Sequence, residues 1–354
     1  MDILVPAERQ RRPRIPVPPG PTPVFPDEAA AQAWLDAERA NLVAVIVHAA
    51  GHGWPGHAIR LAATLFRYLD IGCHFREAAT MHSHARRATR QIGDRAAEAA
   101  ALADLGGVDL RQGRYQQASG YFQQALDLDR ETGDGKGQAR ALANLGLTAL
   151  LQGNPEQAVG YFEQSLALHR QAGDRTGEAR ALGNLGFADL RRGRYQQAVD
   201  HLRQALALCR AVGDRTSEAD ILASLGAIDL KLGRYEQATG HLQQALALCR
   251  EAGDLSRQAL VLNGLGEVLL ARGRFADARS EHAAALRLAA QSGETYEQAR
   301  AHDGLASSYQ ASGAPARARR HWHEALHRYA DLGAPEADHI RAKLGQAAIA
   351  PAIR

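Results

Sequence analysis

An all-α solenoid of about seven antiparallel helix hairpins is the fold this chain predicts, and three observations predict it. Gly-Asp returns every 40 residues, at Gly93-Asp94, Gly133-Asp134, Gly173-Asp174, Gly213-Asp214 and Gly253-Asp254, and then as Gly293-Glu294. Leu-Gly returns with the same period at Leu105-Gly106, Leu145-Gly146, Leu185-Gly186, Leu225-Gly226 and Leu265-Gly266. Small side chains also hold fixed registers: Ala78, Ala118, Ala158, Ala198, Ala238, Ala278 and Ala318 in one, and Ala85, Ala125, Ser165, Ala205, Ala245, Ala285 and Ala325 in another. A fixed period of this length means one supersecondary unit stacked on copies of itself.

Residues 174–212 show what the unit is made of. Leu182, Leu185 and Leu190 lie on one side of a first helix, which Gly193 stops because glycine takes the left-handed cap at no steric cost. Tyr195, Ala198, Leu202, Ala205, Leu206 and Leu208 mark one face of a second helix, ended by Gly213. Asp214 then caps the next helix by accepting backbone N–H bonds. Between the small rows stand Phe122, Phe162, Leu202, Leu242 and Trp322, each worth roughly 1.5–3 kcal/mol when buried. One hairpin cannot bury both its faces, so neighbours share the stability.

The pattern Leu102, Leu105, Gly106, Tyr115, Ala118, Phe122, Ala125, repeated as Leu142, Leu145, Gly146, Ala158, Phe162, Ser165, resembles the tetratricopeptide repeat. The longer, 40-residue form resembles the subclass found in kinesin light chains and related scaffolds. The resemblance covers about residues 57–332 and implies a right-handed superhelical solenoid, with 57–334 as the array. The end hairpins depart from it: Phe66 and Ala306 replace glycine and Pro315 replaces tyrosine, as expected of terminal units.

Outside the array, residues 1–26 are basic (Arg9, Arg11, Arg12, Arg14) and proline-rich, and read as an extended, disordered linker. Residues 27–56 hold an amphipathic capping helix, with Trp34, Leu35, Leu42, Val45 and Ile46 expected against the first hairpin, and then a break. Residues 335–354 form a C-terminal cap and tail, with Ile340 and Leu344 turned inward. The stretch from Phe25 to Ala50, followed by Leu61–Asp70 and the repeats, is similar to the C-terminal part of actinobacterial regulators of antibiotic production. In that family a DNA-binding winged helix, an activation domain and an NB-ARC-type ATPase precede the repeats. This chain has no G-x-x-x-x-G-K-[ST] sequence, so the resemblance implies a sensor or adaptor, or a split part of a larger regulator.

Composition narrows the function. The net charge of +3 by itself argues neither for nor against nucleic acid; direct nucleic-acid binding is not expected of such a scaffold. No apolar run is long enough to span a membrane, the N-terminus lacks the core of a secretion signal, and three cysteines make no disulfide framework; a cytoplasmic protein is expected.

Chemistry is sparse. His323-Glu324-Ala325-Leu326-His327 matches H-E-x-x-H, yet it lies in the repeat register with Ala325 and Leu326 at core positions, and Gly333 stands where a third histidine would be needed. Cys209, Cys249 and His169 share a register, but neighbouring repeats stand near 10 Å apart, too far to share one zinc, so packing thiols are expected. Cys73 is isolated; His74, His82 and His84 read as solvated helix histidines. Gly133–Gly137 lacks the Ser/Thr of a phosphate loop. No catalytic residue, metal site or cofactor is expected, and the chain reads as a non-enzyme.

The resemblance places the ligand surface on the first helix of each hairpin. That register gives Arg140, Ala143, Asn144 and Leu147, then Arg180, Gly183, Asn184 and Phe187, then Asp220, Ser224 and Ala227, then Leu260, Asn263 and Glu267, then Arg300, Asp303 and Ser307. Asparagine amides both donate and accept, and so can bond a peptide backbone whatever its sequence; the arginines can pair with carboxylates. Ala143 and Leu147 occupy the places of a carboxylate-clamping Lys/Asn pair, which argues against a chaperone-tail receptor. A protein or extended peptide is the expected partner, with a homo-oligomer as the alternative.

Overall fold

The computed structural model describes Met1, Leu4 and residues 24–349; the basic, proline-rich stretch with Arg9 to Arg14 and the last five residues lie outside the described residues. Every regular element among the described residues is an α-helix. Two compact units divide at 177/178, in the first turn of α8 (Arg175–Arg191).

Unit 1 begins with α1 (Glu28–Gly51). Three hairpins follow: α2 and α3 (Pro55–Ile71, Phe75–Ile92), α4 and α5 (Arg95–Arg111, Tyr115–Thr132), and α6 and α7 (Gly135–Leu151, Pro155–Gln171). Leu35 and Ile46 of α1 are buried with Leu65, Leu69 and Met81 of the first hairpin. Trp34 and Val45 are not; they face outward, because α1 packs only one narrow stripe and both lie beside it.

Unit 2 continues α8 and holds α9 (Tyr195–Val212), α10 and α11 (Arg215–Lys231, Tyr235–Glu251), α12 and α13 (Leu255–Ala271, Phe275–Ser292), α14 and α15 (Thr295–Ala311, Pro315–Asp331), and α16 (Glu336–Ile349). Ile340 is buried and Leu344 partly so, against Trp322 and Tyr329 of the last hairpin. The tetratricopeptide-type hairpins expected from the period are all present, with α1 and α16 flanking them.

The punctuation acts as its chemistry requires. Gly213 has φ +74°, which an L side chain resists, and it ends α9. Asp94, Asp134, Asp174, Asp214 and Asp254 accept the backbone N–H three residues on, at 2.9–3.0 Å. Glu294, one methylene longer, makes no such side-chain bond.

The Leu-Gly row explains itself in packing. A Cβ on Gly106 would lie 2.5 Å from the Phe122 ring, and one on Gly146 would lie 2.5 Å from the Phe162 ring. The glycine is therefore the hole into which the partner helix's aromatic fits. Ser165, in an alanine register, donates to the Ala139 carbonyl at 2.8 Å and so satisfies its hydroxyl where it is buried.

Two of these knobs are histidines. His82 and His282 stand in the register of Phe122 and Leu242, and both are buried. The expectation that His82 is solvated is corrected: its Nδ1 lies 3.3 Å from Asp104, and burial lowers its pKa. His282 fills the space left by Gly266 and Gly304, where a Cβ would meet the ring at 2.6 and 2.2 Å. Burial takes its pKa down to about 4, so the ring is neutral at ordinary pH.

Asp129 lies in the last turn of α5, at a register shared with Thr89, His169, Cys209, Cys249, Ala289 and Tyr329. It is 2% exposed and packs on Gly137, where a Cβ would lie 2.4 Å from its carboxylate. Burial raises its pKa to about 6; Arg140 opposes the shift and Asp134 adds to it. The unfolded value is about 3.9, so the folded protein binds this proton more tightly. Stability from this group is complete below the unfolded value and is lost as pH rises through about 6. Asp129→Asn is expected to gain roughly 1–3 kcal/mol at pH 8 and to match wild type near pH 4, read by urea melts at both pH values.

Candidate functional site

In unit 1 the first-helix face presents one cluster. Arg140 of α6 is exposed, Asn144 half-buried and Leu147 exposed. The Asn144 amide makes no side-chain hydrogen bond among the described residues; only its backbone carbonyl is used, by Thr148 at 2.7 Å. Sequence reasoning passed over Asp104 of α4, which stands in the Asn144 register one hairpin earlier. Burial raises the Asp104 pKa, while His82 and Arg140 hold it down. Asp104, Arg140 and Asn144 thus set a carboxyl, a guanidinium cation and an amide on the face that carries the apolar Leu147.

Unit 2 presents a deeper site. Arg180 is exposed, Asn184 half-buried and Phe187 45% exposed, all on α8. Phe187, Asp220 and Ser224 of α10, Leu260 and Glu267 of α12, and Arg300 of α14 line one recess of about 290 Å³. Its walls are mainly Leu190, Leu230, Leu242 and Leu260. Ser224 donates to the Asp220 carbonyl at 2.9 Å, which leaves its oxygen lone pairs to accept.

Four residues named from the sequence are engaged within the fold. Asn263 is wholly buried: it donates to the Glu297 carbonyl and carboxylate at 3.0 and 2.9 Å, and its carbonyl oxygen meets His282 Nδ1 at 3.0 Å. The physical reason is register, since 263 falls in the inward row of Ala143 and Gly183, and Gly264 holds the place of Asn144 and Asn184. Asp303 is taken by Lys343 at 2.7 Å and the Trp322 indole at 3.0 Å, which tie α14 to α15 and α16. Arg300 is bound bidentately to Glu267 at 2.7 and 3.0 Å, so neither is an unpaired charge.

The recess itself escaped sequence reading, although its signal was present. Ala227 stands where Leu147 and Phe187 stand, and Gly264 where asparagines stand, so two side chains are missing side by side. A separate apolar hollow of about 610 Å³ lies at the start of unit 1, walled by Val45, His48, Trp54 and His57.

The other candidates resolve into packing. Cys209 and Cys249 are buried free thiols, with burial pushing both pKa values up to about 11, which makes them inert rather than merely packed. His169 pairs with Asp174 at 3.0 Å. His323 and His327 lie on an exposed face of α15, and Glu324 between them is held by Arg328 at 2.6 Å. No group of three or more His, Cys, Asp or Glu side chains among the described residues is placed to hold a metal ion. No helix among the described residues is long and apolar enough to cross a membrane.

Family models of the tetratricopeptide repeat match residues 74–131, 98–171, 137–211 and 177–251, and a second such model matches 224–294. The chain belongs to the tetratricopeptide-repeat family. Solved structures agree on the fold. A signal-transduction ATPase with numerous domains and a tetratricopeptide-repeat sensor, from Pyrococcus horikoshii, aligns at TM-score 0.59 and 14% identity over 90% of this chain and 51% of that one. Aspartyl phosphate phosphatase F from Bacillus subtilis aligns at 0.57 and 13%, covering 92% and 79%. A Rap protein complexed with competence and sporulation factor aligns at 0.56 and 13%, covering 88% and 98%. No curated protein sequence matches the chain. Tetratricopeptide-repeat proteins bind other proteins and peptides.

Proposed function

We propose that this chain is a non-enzymatic scaffold that holds a protein or extended peptide on the first-helix faces of residues 57–334, as a cytoplasmic sensor or adaptor in transcriptional regulation. The helices α1 and α16 serve as its caps. The observation that carries the reading is the unit 2 recess, where exposed Phe187 and Leu260 stand beside acceptors from α10 and α12. Apolar floor with a few convergent polar groups is the usual make-up of a recognition surface. Support for the regulatory role comes from the resemblance of residues 25–50 and the repeats to antibiotic-production regulators. It also comes from likeness in fold to the sensor-bearing ATPase of Pyrococcus horikoshii.

The test is a pull-down from native lysate with wild type beside an Arg180→Ala/Asn184→Ala/Phe187→Ala variant. Arg180 and Phe187 are exposed and Asn184 is half-buried, and a thermal melt of the variant beside wild type checks that it folds. A partner captured by wild type and reduced at least tenfold by the variant is the expected result. Equal capture by both places recognition on another surface.

A further inference from the structure

Near-copies make a departure visible, and one corner of unit 2 both loses its acid and gains cations. Asp109, Asp189, Asp229 and Tyr309 share a register near the end of a first helix. Each aspartate is buried and holds a base: Asp109 takes Arg114, Asp189 takes His201 at 3.0 Å and Asp229 takes His241 at 2.9 Å. In the last hairpin Tyr309 replaces the acid. Around it Arg279, Arg317 and Arg320 occupy registers where α11 carries the uncharged Thr239, Gln237 and Gly240.

The Tyr309 ring gathers these groups. The Arg279 guanidinium lies 5.2 Å and the Arg317 guanidinium 5.6 Å from its centroid, and the His321 ring stacks on it at 5.5 Å. Arg320 follows Arg317 by three residues on α15, which sets the two side by side. A guanidinium held over an aromatic ring keeps its N–H edge for an acceptor. Arg279 uses one donor on Ser312 Oγ at 3.0 Å and has four left. Arg317 and Arg320 are exposed, and neither makes a hydrogen bond or ion pair among the described residues.

The acids on the same two second helices are engaged elsewhere. Asp277 is held by Arg274 at 2.6 Å, Glu324 is held by Arg328 at 2.6 Å, and Glu281 lines a hollow with Arg250. Arg317 and Arg320 also sit in the first two turns of α15, whose first turn holds no acid, so the helix dipole opposes both charges. A bound anion removes that penalty. The cluster is also compact: at the register of Arg317, α9 and α11 carry Gln197 and Gln237, so no basic stripe runs on from it. Nucleic acid presents phosphates along a line and is met by such a stripe. A carboxylate brings one charge and leaves two of the three guanidiniums unmet. A phosphate monoester brings nearly two charges and three acceptor oxygens to one point.

We propose that Arg279, Arg317 and Arg320, braced on Tyr309, form a binding site for a phosphate monoester. The phosphoryl oxygens accept from the three guanidiniums, and Tyr309 holds Arg279 and Arg317 in place before the ligand arrives. The group is the same whether a phosphorylated side chain of a protein partner or a small nucleotide carries it. None of the four residues belongs to the first-helix rows described above, so the site stands apart from the scaffold reading and does not depend on it.

The experiment measures binding of the full chain to a fluorescein-labelled Gly-Ala peptide with one phosphoserine, to its unphosphorylated twin and to a labelled oligothymidylate, by fluorescence anisotropy. Inorganic phosphate and adenosine monophosphate are added as competitors. Wild type is compared with Arg317→Gln/Arg320→Gln, with Tyr309→Leu, which copies Leu269 of the preceding hairpin, and with Arg203→Gln/Arg287→Gln, an equal charge change at exposed positions elsewhere in unit 2. The phosphopeptide is expected to bind and its twin not to. Arg317→Gln/Arg320→Gln should lose about tenfold or more, Tyr309→Leu about threefold, and the control pair should match wild type, with binding falling as salt rises. Arg317→Gln/Arg320→Gln should also melt no lower than wild type, since it removes cations from a helix N-terminus. Displacement by phosphate or adenosine monophosphate at concentrations equal to the peptide's own assigns the site to a free monoester; a phosphopeptide about tenfold tighter than either assigns it to a protein partner. Equal losses in the control pair overturn the site in favour of diffuse charge. Tighter binding of the oligothymidylate through the same arginines overturns it in favour of a nucleic-acid surface, and no difference between the peptide and its twin overturns it outright.

Discussion

Phe162→Ala is expected to destabilise unit 1 by about 3–5 kcal/mol, the range for removing a buried aromatic without repacking. Phe162 is among the largest fully buried side chains of the molecule, and its ring occupies the hole that Gly146 leaves. The partner change tests the reason. Gly146→Ala in wild type places a Cβ 2.5 Å from the ring and is expected to cost roughly 1–3 kcal/mol by overpacking. In the Phe162→Ala background the same methyl enters vacated space and is expected to be neutral or stabilising. A double-mutant cycle by urea denaturation reads the coupling, and additive losses would contradict the knob-and-hole account. Because each hairpin leans on its neighbours, the single loss should also split the unfolding transition rather than only shift its midpoint.

Arg300→Ala is expected to cost roughly 2–4 kcal/mol, against under about 1 kcal/mol for Arg257→Ala. Both guanidiniums grip a carboxylate bidentately, at 2.7 and 3.0 Å for Arg300 and at 2.7 and 3.2 Å for Arg257. Burial separates them. Arg300 is the counter-charge of Glu297, which is buried and already receives Asn263, so its loss strands an acid where water cannot reach. Asp220 is half exposed, and water replaces Arg257 at little cost. Paired urea melts of the two variants check the ratio; equal losses would mean that Glu297 is not stabilised by Arg300.

Most of the fold was legible because its signals are local and repeated. The Gly-Asp and Leu-Gly rows state where helices end and which faces touch, and the structure uses them so: Asp214 caps α10, and Gly146 receives Phe162. The site was legible only in part, because a face assignment fails when the register slips by one residue. Asn144 and Asn184 lie on the surface, but Asn263, one position out of their row, points inward to His282. Nor does a single repeat announce a recess. Ala227 looks unremarkable beside its own neighbours and becomes informative only against Leu147 and Phe187. Which charges are paired, as Asp303 is with Lys343, depends on side chains 40 residues away that no local pattern links.

The matched glycine holes bear on how such a chain can change length. Gly186 receives Leu202 and Gly226 receives Leu242, in both cases within 2.6 Å of an added Cβ. Excising residues 194–233 would join α8 to α11 through the same Gly-Arg-Tyr junction and set Gly186 against Leu242, at the loss of the Asp220–Arg257 pair. Unequal crossing-over can therefore insert or remove a whole hairpin there without breaking the stack. The same exchange is barred near His282, whose imidazole needs both Gly266 and Gly304 and the amide of Asn263. The hairpins around Gly186 and Gly226 are thus open to exchange, while the stretch from 263 to 304 depends on its present partners.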